Sequence, residues 1–238
     1  MIRSAYEQQI QGLRDDVVAM ASMVSKALAK ATDALVTQDA GLARMVRKED
    51  KAINLARWAG EERALTIIAT QAPMAGDLRM IASALQVFTD LERMGDHAAG
   101  IAKIAIDTAD EVLVKPLVDI PQMSIEAREM LADAVTAFVD NNADLAREVA
   151  MRDDEIDTLY DRVYQELLEK MMANPATIHR ATHLLWVAHN LERFGDRVTN
   201  ICERVVYTVT GETEPLGGGR KKRQKARELA ASASGDSG

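Results

Sequence analysis

The sequence has a single cysteine, Cys202, so it cannot close an internal disulfide or assemble a thiolate cluster. It has five prolines and only 4% aromatic residues, while Ala, Leu, Met, Glu, Arg and Asp abound, a balance that favours helix over sheet. Long apolar runs are also missing. The longest, such as Ala64-Leu65-Thr66-Ile67-Ile68-Ala69 and Leu184-Leu185-Trp186-Val187-Ala188, fall far short of a membrane span, and no signal-peptide-like segment follows Met1. A cytoplasmic location is expected, with any membrane association made through a partner. No Gly-rich phosphate cradle ending in Lys-Ser or Lys-Thr and no dinucleotide fingerprint is found.

Net charge is -8, which repels a nucleic-acid backbone, so no nucleic-acid partner is expected. The exception is Arg220-Lys221-Lys222-Arg223-Gln224-Lys225-Ala226-Arg227, which follows three glycines and precedes an Ala/Ser/Gly-rich end. Residues 213–238 therefore read as a disordered basic tail.

What is present is a duplication. Asp90-Leu91-Glu92-Arg93-Met94-Gly95-Asp96-His97-Ala98-Ala99-Gly100-Ile101-Ala102 returns as Asn190-Leu191-Glu192-Arg193-Phe194-Gly195-Asp196-Arg197-Val198-Thr199-Asn200-Ile201-Cys202, with six of thirteen positions identical. The shared positions mix core, charge and glycine, which is more than common helical periodicity would preserve. Upstream, Ala40 to Asn54 matches Ala143 to Asp157 at an offset of 103, which shrinks to 100 at the Leu-Glu-Arg motif. A short deletion near Asn174-Pro175, opposite Gln71-Ala72-Pro73, accounts for the change.

Each copy reads as three helices. The first copy predicts helices over 4–37, from an N-cap at Asp39 to Thr70, and over 74–110; the second predicts 124–140, 142–173 and 175–210. Pro73 and Pro175 interrupt equivalent points, and 111–121, with two prolines, reads as an extended connection. The expected fold is all-α: two tandem antiparallel three-helix bundles related by pseudo-two-fold symmetry, at 1–115 and 116–212.

Glu92 and Asp96, like Glu192 and Asp196, are four apart and share a helix face. The preceding helix of each copy offers Asp50 and Asn54, or Asp153 and Asp157, at the same spacing. Antiparallel packing would bring four oxygen-bearing side chains together in each half, and such a set repels itself unless a cation joins it. Arg93 with Asp96, and Arg193 with Asp196, also suit ordinary surface pairs, but retention of the acids and the intervening glycine in both copies favours a metal site. Oxygen donors suit magnesium, manganese, calcium or clustered iron. No histidine lies three after a glutamate, which disfavours a diiron oxidase bundle. His97 reads as surface polar and Cys202 as core. One use of such clusters would be a metal-dependent hydrolase acting on phosphate compounds.

Gln71-Ala72-Pro73 with Asp77-Leu78-Arg79, Leu91-Glu92-Arg93-Met94-Gly95-Asp96-His97, and Leu191-Glu192-Arg193-Phe194-Gly195-Asp196-Arg197 together resemble the PhoU family over residues 4–210. The resemblance implies the two-bundle fold and a Glu/Asp-x-x-x-Asp metal motif in each half: Glu92 with Asp96, and Glu192 with Asp196. Asp50, Asn54, Asp153 and Asp157 would contribute from the adjacent helix, and Asn200 supplies the asparagine that often follows the second acid. Gly100 replaces that asparagine in the first copy, and Asp90 becomes Asn190 in the second. The implied cofactors are divalent or trivalent metal ions, including iron clusters, with zinc, magnesium or manganese as alternatives. The implied role is non-enzymatic negative regulation of phosphate uptake and of the phosphate-starvation response. The implied partners are the ATPase subunit of a phosphate ABC transporter, a sensor histidine kinase and a second copy of the chain.

Overall fold

A computed structural model describes residues 2–217, with side chains from residue 6 onward. The expected basic run and the rest of the tail beyond residue 217 lie outside the described residues. The first repeat consists of α1 (Ile2–Val36), α2 (Ala40–Gln71) and α3 (Ala75–Asp107). The second consists of α4 (Asp119–Asp140), α5 (Ala143–Met151), α6 (Asp153–Ala173), a 3-10 turn (Pro175–Thr177) and α7 (Ile178–Thr210). Among the described residues there is no strand, as the composition implies.

Helical periodicity sets the core. On α1, Leu13, Val17, Met20, Val24, Leu28, Ala31 and Leu35 are buried at intervals of three and four. The first turn of each repeat is built alike. Gln38 takes a left-handed conformation at φ 55°, and Asn141, its counterpart, does so at φ 51°. Asp39 Oδ1 then caps α2 by accepting from the Gly41 and Leu42 amides at 2.8 and 2.9 Å. Asn142 Oδ1 caps α5 by accepting from the Leu145 amide at 3.0 Å.

Three boundaries differ from the sequence expectation. Helix α4 opens at Asp119, not Ser124, and takes Pro121 into its first turn. An amide is unbonded there in any case, so the proline removes nothing. The second helix of the second repeat is interrupted at Arg152, where the amide bonds back three residues, to the Val149 carbonyl at 3.0 Å. Arg152 reaches Glu126 at 2.7 Å, Glu129 at 3.3 Å and Asp133 at 2.7 Å on α4. Its counterpart in the first repeat is Glu49, which pairs with Lys30 of α1 at 2.8 Å in an unbroken helix. The same inter-helix ion pair is thus present in both repeats with its charges exchanged. Pro175, finally, lies in the 3-10 turn and not in α7.

The repeats join chiefly through α3 and α7. Ser83 donates to the Arg204 carbonyl, Asp90 accepts from Arg197, and His97 contacts Asn190. Each step forward on α3 matches an equal step back on α7, so the helices run antiparallel in one register. The two-fold rotation that exchanges antiparallel neighbours is perpendicular to the pair, so equivalent sites of the two repeats open on the same side of it. Behind the pair, α1 meets α4, with a buried Thr32 to Ser124 hydrogen bond of 3.0 Å.

One core contact depends on a missing side chain. Gly60, in the middle of α2, lies under the ring of fully buried Phe88, and a Cβ there would fall 2.4 Å from Phe88 Cζ. The second repeat carries Val163 and Ala188 at the matching positions, both buried, with bulk moved from one helix to the other. Gly60→Ala should therefore lower the melting temperature although alanine is the better helix former, at a net cost of about 1–3 kcal/mol. Combining it with Phe88→Leu should recover part of the loss. Thermal denaturation of the single and double variants checks both statements.

Candidate metal centres

The glycine common to both motifs explains how the acids come together. A Cβ on Gly95 would stand 3.1 Å from Ile53 Cγ2 and 3.4 Å from Asp50 Oδ1. One on Gly195 would stand 2.8 Å from Asp153 Oδ1 and 3.0 Å from Ile156 Cδ1. In each repeat the bare backbone of the last helix admits a carboxylate from the preceding one, and the flanking acids of the motif border the same spot.

In the first repeat Asp50 and Asn54 of α2 face Glu92 and Asp96 of α3. Asn54 Nδ2 donates to Asp50 Oδ2 at 3.2 Å, while Asp50 Oδ1 is buried without a hydrogen-bond partner. Burial, and then the charge of Asp96, push the Asp50 carboxyl above its ordinary range, opposed by the Asn54 hydrogen bond. Glu92 is largely buried; its Oε1 lies 3.5 Å from Arg57 NH1, and its Oε2 has no hydrogen-bond partner. Asp96 is half-exposed, 3.6 Å from Arg93 NH1.

The second repeat forms a more acidic version. Asp153, Asp157, Glu192, Asp196 and Asn200 line one cleft of about 540 Å³, together with Arg193, Arg197 and the chain's return at Leu216 and Gly217. Asp157 stands where the first repeat has Asn54. Burial, followed by the charges of Asp157, Asp196 and Glu192, pushes the Asp153 carboxyl up to about 7. Arg193 spans Glu192 at 3.3 Å and Asp196 at 3.0 Å. The surface-pair geometry expected of both arginines is therefore formed, and the acids converge as well. Four carboxylates converging at this density make an oxygen-rich site suited to a cation.

All nine sequence-nominated residues border one or other cluster, and Asn200 has a second task. Its Nδ2 donates to Asp90 Oδ1 at 3.3 Å across the repeat interface, where Arg197 NH1 also donates at 3.2 Å. The symmetric position holds His97 Nδ1 against Asn190 Oδ1 at 3.1 Å. His97 is therefore an interface residue and not the surface polar group expected, and burial pushes its pKa down. Cys202 is core, as expected, and burial pushes its thiol up to about 12.

Sequence reading missed Arg57, His189 at 3.7 Å from Glu192 Oε2, and the strap formed by 212–217. The strap is held by Arg147 to Glu214 at 2.9 Å and by the Leu216 amide to Glu203 at 2.9 Å. Only the pairing of residues far apart in sequence reveals these roles.

Comparison with known proteins agrees with this architecture. The family model of the PhoU domain matches residues 17–105 and again 120–205, one match per repeat. A phosphate-specific transport system accessory protein PhoU homolog of Clostridium acetobutylicum is 36% identical over 217 residues, 91% of this chain and 99% of that protein. The homolog of Aquifex aeolicus is 40% identical over 205 residues, 86% and 93% of the respective chains. The crystal structure of PhoU from Pseudomonas aeruginosa superposes with a TM-score of 0.83 at 35% identity, covering 87% of this chain and 100% of that one. That of the phosphate transport system regulatory protein PhoU from Streptococcus pneumoniae gives 0.83 at 33% identity, covering 89% and 100%. With both repeats matched and relatives covered nearly end to end, the chain belongs to the PhoU family.

Proposed function

We propose that this protein is a regulatory accessory of phosphate transport that works by binding partners and performs no covalent chemistry. The observation that carries this reading is coverage: relatives named as phosphate-specific transport system accessory protein homologs are matched over 99% and 93% of their length, through both repeats. The duplicated site supports it too. The same acids recur in both repeats, Asp50 as Asp153, Glu92 as Glu192 and Asp96 as Asp196, as a paired binding framework requires.

In this reading the protein works at the cytoplasmic face of the membrane. It links the ATPase subunit of a phosphate ABC transporter to a sensor histidine kinase, restrains uptake, and holds the kinase inactive when phosphate is abundant. No helix among the described residues is long and apolar enough to cross a membrane, so contact with the transporter would be made through surfaces. One candidate surface is a stripe on α2, where Leu55, Trp58 and Leu65 share a face and are each about 60% exposed. Apolar side chains at this spacing fit packing against a partner helix.

The acid clusters serve this role as cation sites. Asp50, Asn54, Glu92 and Asp96 would hold a divalent or trivalent ion in the first repeat, and Asp153, Asp157, Glu192 and Asp196, with Asn200, in the second. The buried Asp50 Oδ1 and Glu92 Oε2, which accept no hydrogen bond, fit such ions, as does the strongly raised Asp153. A bound cation would supply positive charge; the residues themselves fix α2 on α3, and α5 and α6 on α7, and so shape the common face.

Two outcomes follow. In cells lacking the gene and grown in abundant phosphate, a phosphate-starvation reporter should stay on. The intact gene should silence it, and an Asp153→Asn, Glu192→Gln, Asp196→Asn triple variant should not; a reporter that stays off in the deletion strain contradicts the regulatory reading. In the purified, metal-free protein, Asp153 titrates near 7 when folded and near ~4 when unfolded. Folding therefore takes up a proton, and the stability from this group is full below pH ~4 and lost as pH rises through 7. Asp153→Asn should flatten that fall, raising metal-free stability at pH 8 by up to ~4 kcal/mol while reducing the gain that added metal gives the wild type to the share of the first cluster. Melting curves at pH 5 and pH 8, with and without metal, measure both effects.

A further inference from the structure

At the opposite end of α7 from its C-terminal strap, a different set of donors converges. His179 and His183 lie one turn apart on α7, and Glu111 approaches from the connection between the repeats. One ligand atom from each of the three lies within 4.8 Å of the others. His179 Nδ1 is 3.9 Å from Glu111 Oε1, too long for a hydrogen bond, and the two imidazoles meet edge to face with centroids 4.5 Å apart. Glu111 Oε2 and His183 Nδ1 are both shielded from solvent and have no hydrogen-bond partner.

The acid is held in place before any ligand arrives. Gln38 Nε2 donates to the Glu111 carbonyl at 2.6 Å, the Glu111 amide donates to the Thr108 carbonyl at 3.1 Å, and Arg180 NH1 donates to the Val112 carbonyl at 2.9 Å. The backbone on both sides of Glu111 is thereby tied to the first interhelix turn and to the start of α7. His179, by contrast, is three-quarters exposed and free to swing.

From this geometry we propose a transition-metal site, of zinc type, formed by Glu111, His179 and His183. Two imidazole nitrogens and one carboxylate oxygen are a borderline-soft donor set that suits Zn²⁺ better than the harder ions favoured by the all-oxygen clusters. Two histidines four apart on a helix present both rings to one ion. Donors on a tetrahedral zinc stand about 3.4 Å apart, so closure from a spread of at most 4.8 Å needs shifts of no more than about 1.4 Å, most easily made by the exposed His179 ring. The shielded lone pairs of Glu111 and His183 would gain the partner they lack. Water would complete the coordination.

The role this site assigns to the metal is structural. It would pin the connection, which joins the repeats across residues 108–118, onto the first turn of α7. No glutamate follows His179 in the position a metal-bound water would need for a base, since Arg180 stands there and bonds to Val112. The site lies apart from the duplicated acid clusters and has no counterpart in the first repeat, where Arg79 and Ser83 stand for His179 and His183. Its existence does not depend on the regulatory reading.

The test is zinc titration of the full chain, stripped with a chelator and followed by competition with a chromophoric chelator. Wild type should take up a tight equivalent. A His179→Gln, His183→Gln double variant should lose it, with affinity weakened by about 100-fold or more, and Glu111→Gln should weaken it as well. A Glu92→Gln, Glu192→Gln variant should keep it. Hydrogen exchange of amides 108–114 should slow on adding zinc to the wild type and not to the double-histidine variant. Melting of the metal-free variants shows that each is folded, and the Glu111 variant carries the test if the histidine variant is not. Equal zinc affinity in wild type and in the histidine and Glu111 variants would overturn the proposal, and so would a tight equivalent that disappears only when Glu92 and Glu192 are changed.

Discussion

The antiparallel packing of α3 against α7 is the constraint on which the rest of the molecule depends. It joins the repeats, and it fixes their relation as a two-fold rotation, which leaves both acid clusters on one face. The register is set by polar groups as well as by core residues. Asp90 is buried and accepts from Arg197 and Asn200, while His97 meets Asn190 at the symmetric position. A carboxylate so placed is tolerable only with its partners present, so a slip of one turn would strand a buried charge. The interface therefore specifies a single alignment in a way that a purely apolar seam would not.

Within each repeat a second constraint works against the first. Close approach at Gly95 and Gly195 presses carboxylates together in partly buried surroundings, and their mutual repulsion opposes the packing that the core favours. Arg57, Arg93 and Arg193 relieve part of it. Protonation of Asp153 relieves more when no other positive charge is available. Two copies of a self-opposing arrangement are hard to explain as packing alone, because a core alanine or leucine would remove the conflict. They are what the proposed cation sites require.

Much of this was legible in the sequence because both signals are local or periodic. Apolar spacing gave the helices, Asp39 announced its cap, and the repeated Leu-Glu-Arg-x-Gly-Asp segment named the acids that the structure brings together. What sequence reading missed depends on pairing across the fold. The interruption at Arg152 answers to Glu126, Glu129 and Asp133 on another helix, and no local breaker marks it. Pro121 signalled an extended stretch, although a first helical turn tolerates it equally well. The differences between the copies held unused information. Asp90 against Asn190, His97 against Arg197 and Gly100 against Asn200 are the positions that meet across the α3–α7 interface, where unlike partners are needed. Glu111 and His183 are separated by the whole second bundle but its last helix, so no spacing rule could unite them.

The most direct measurement of the central claim is anomalous diffraction from crystals of the full chain purified without chelator, collected at the iron, zinc and manganese edges. The account predicts metal peaks within bonding distance of Asp50, Glu92 and Asp96, and of Asp153, Asp157, Glu192 and Asp196, with the fuller peak in the more acidic second cluster. Clusters that hold only water and arginine contacts, even after soaking with these ions, would contradict it.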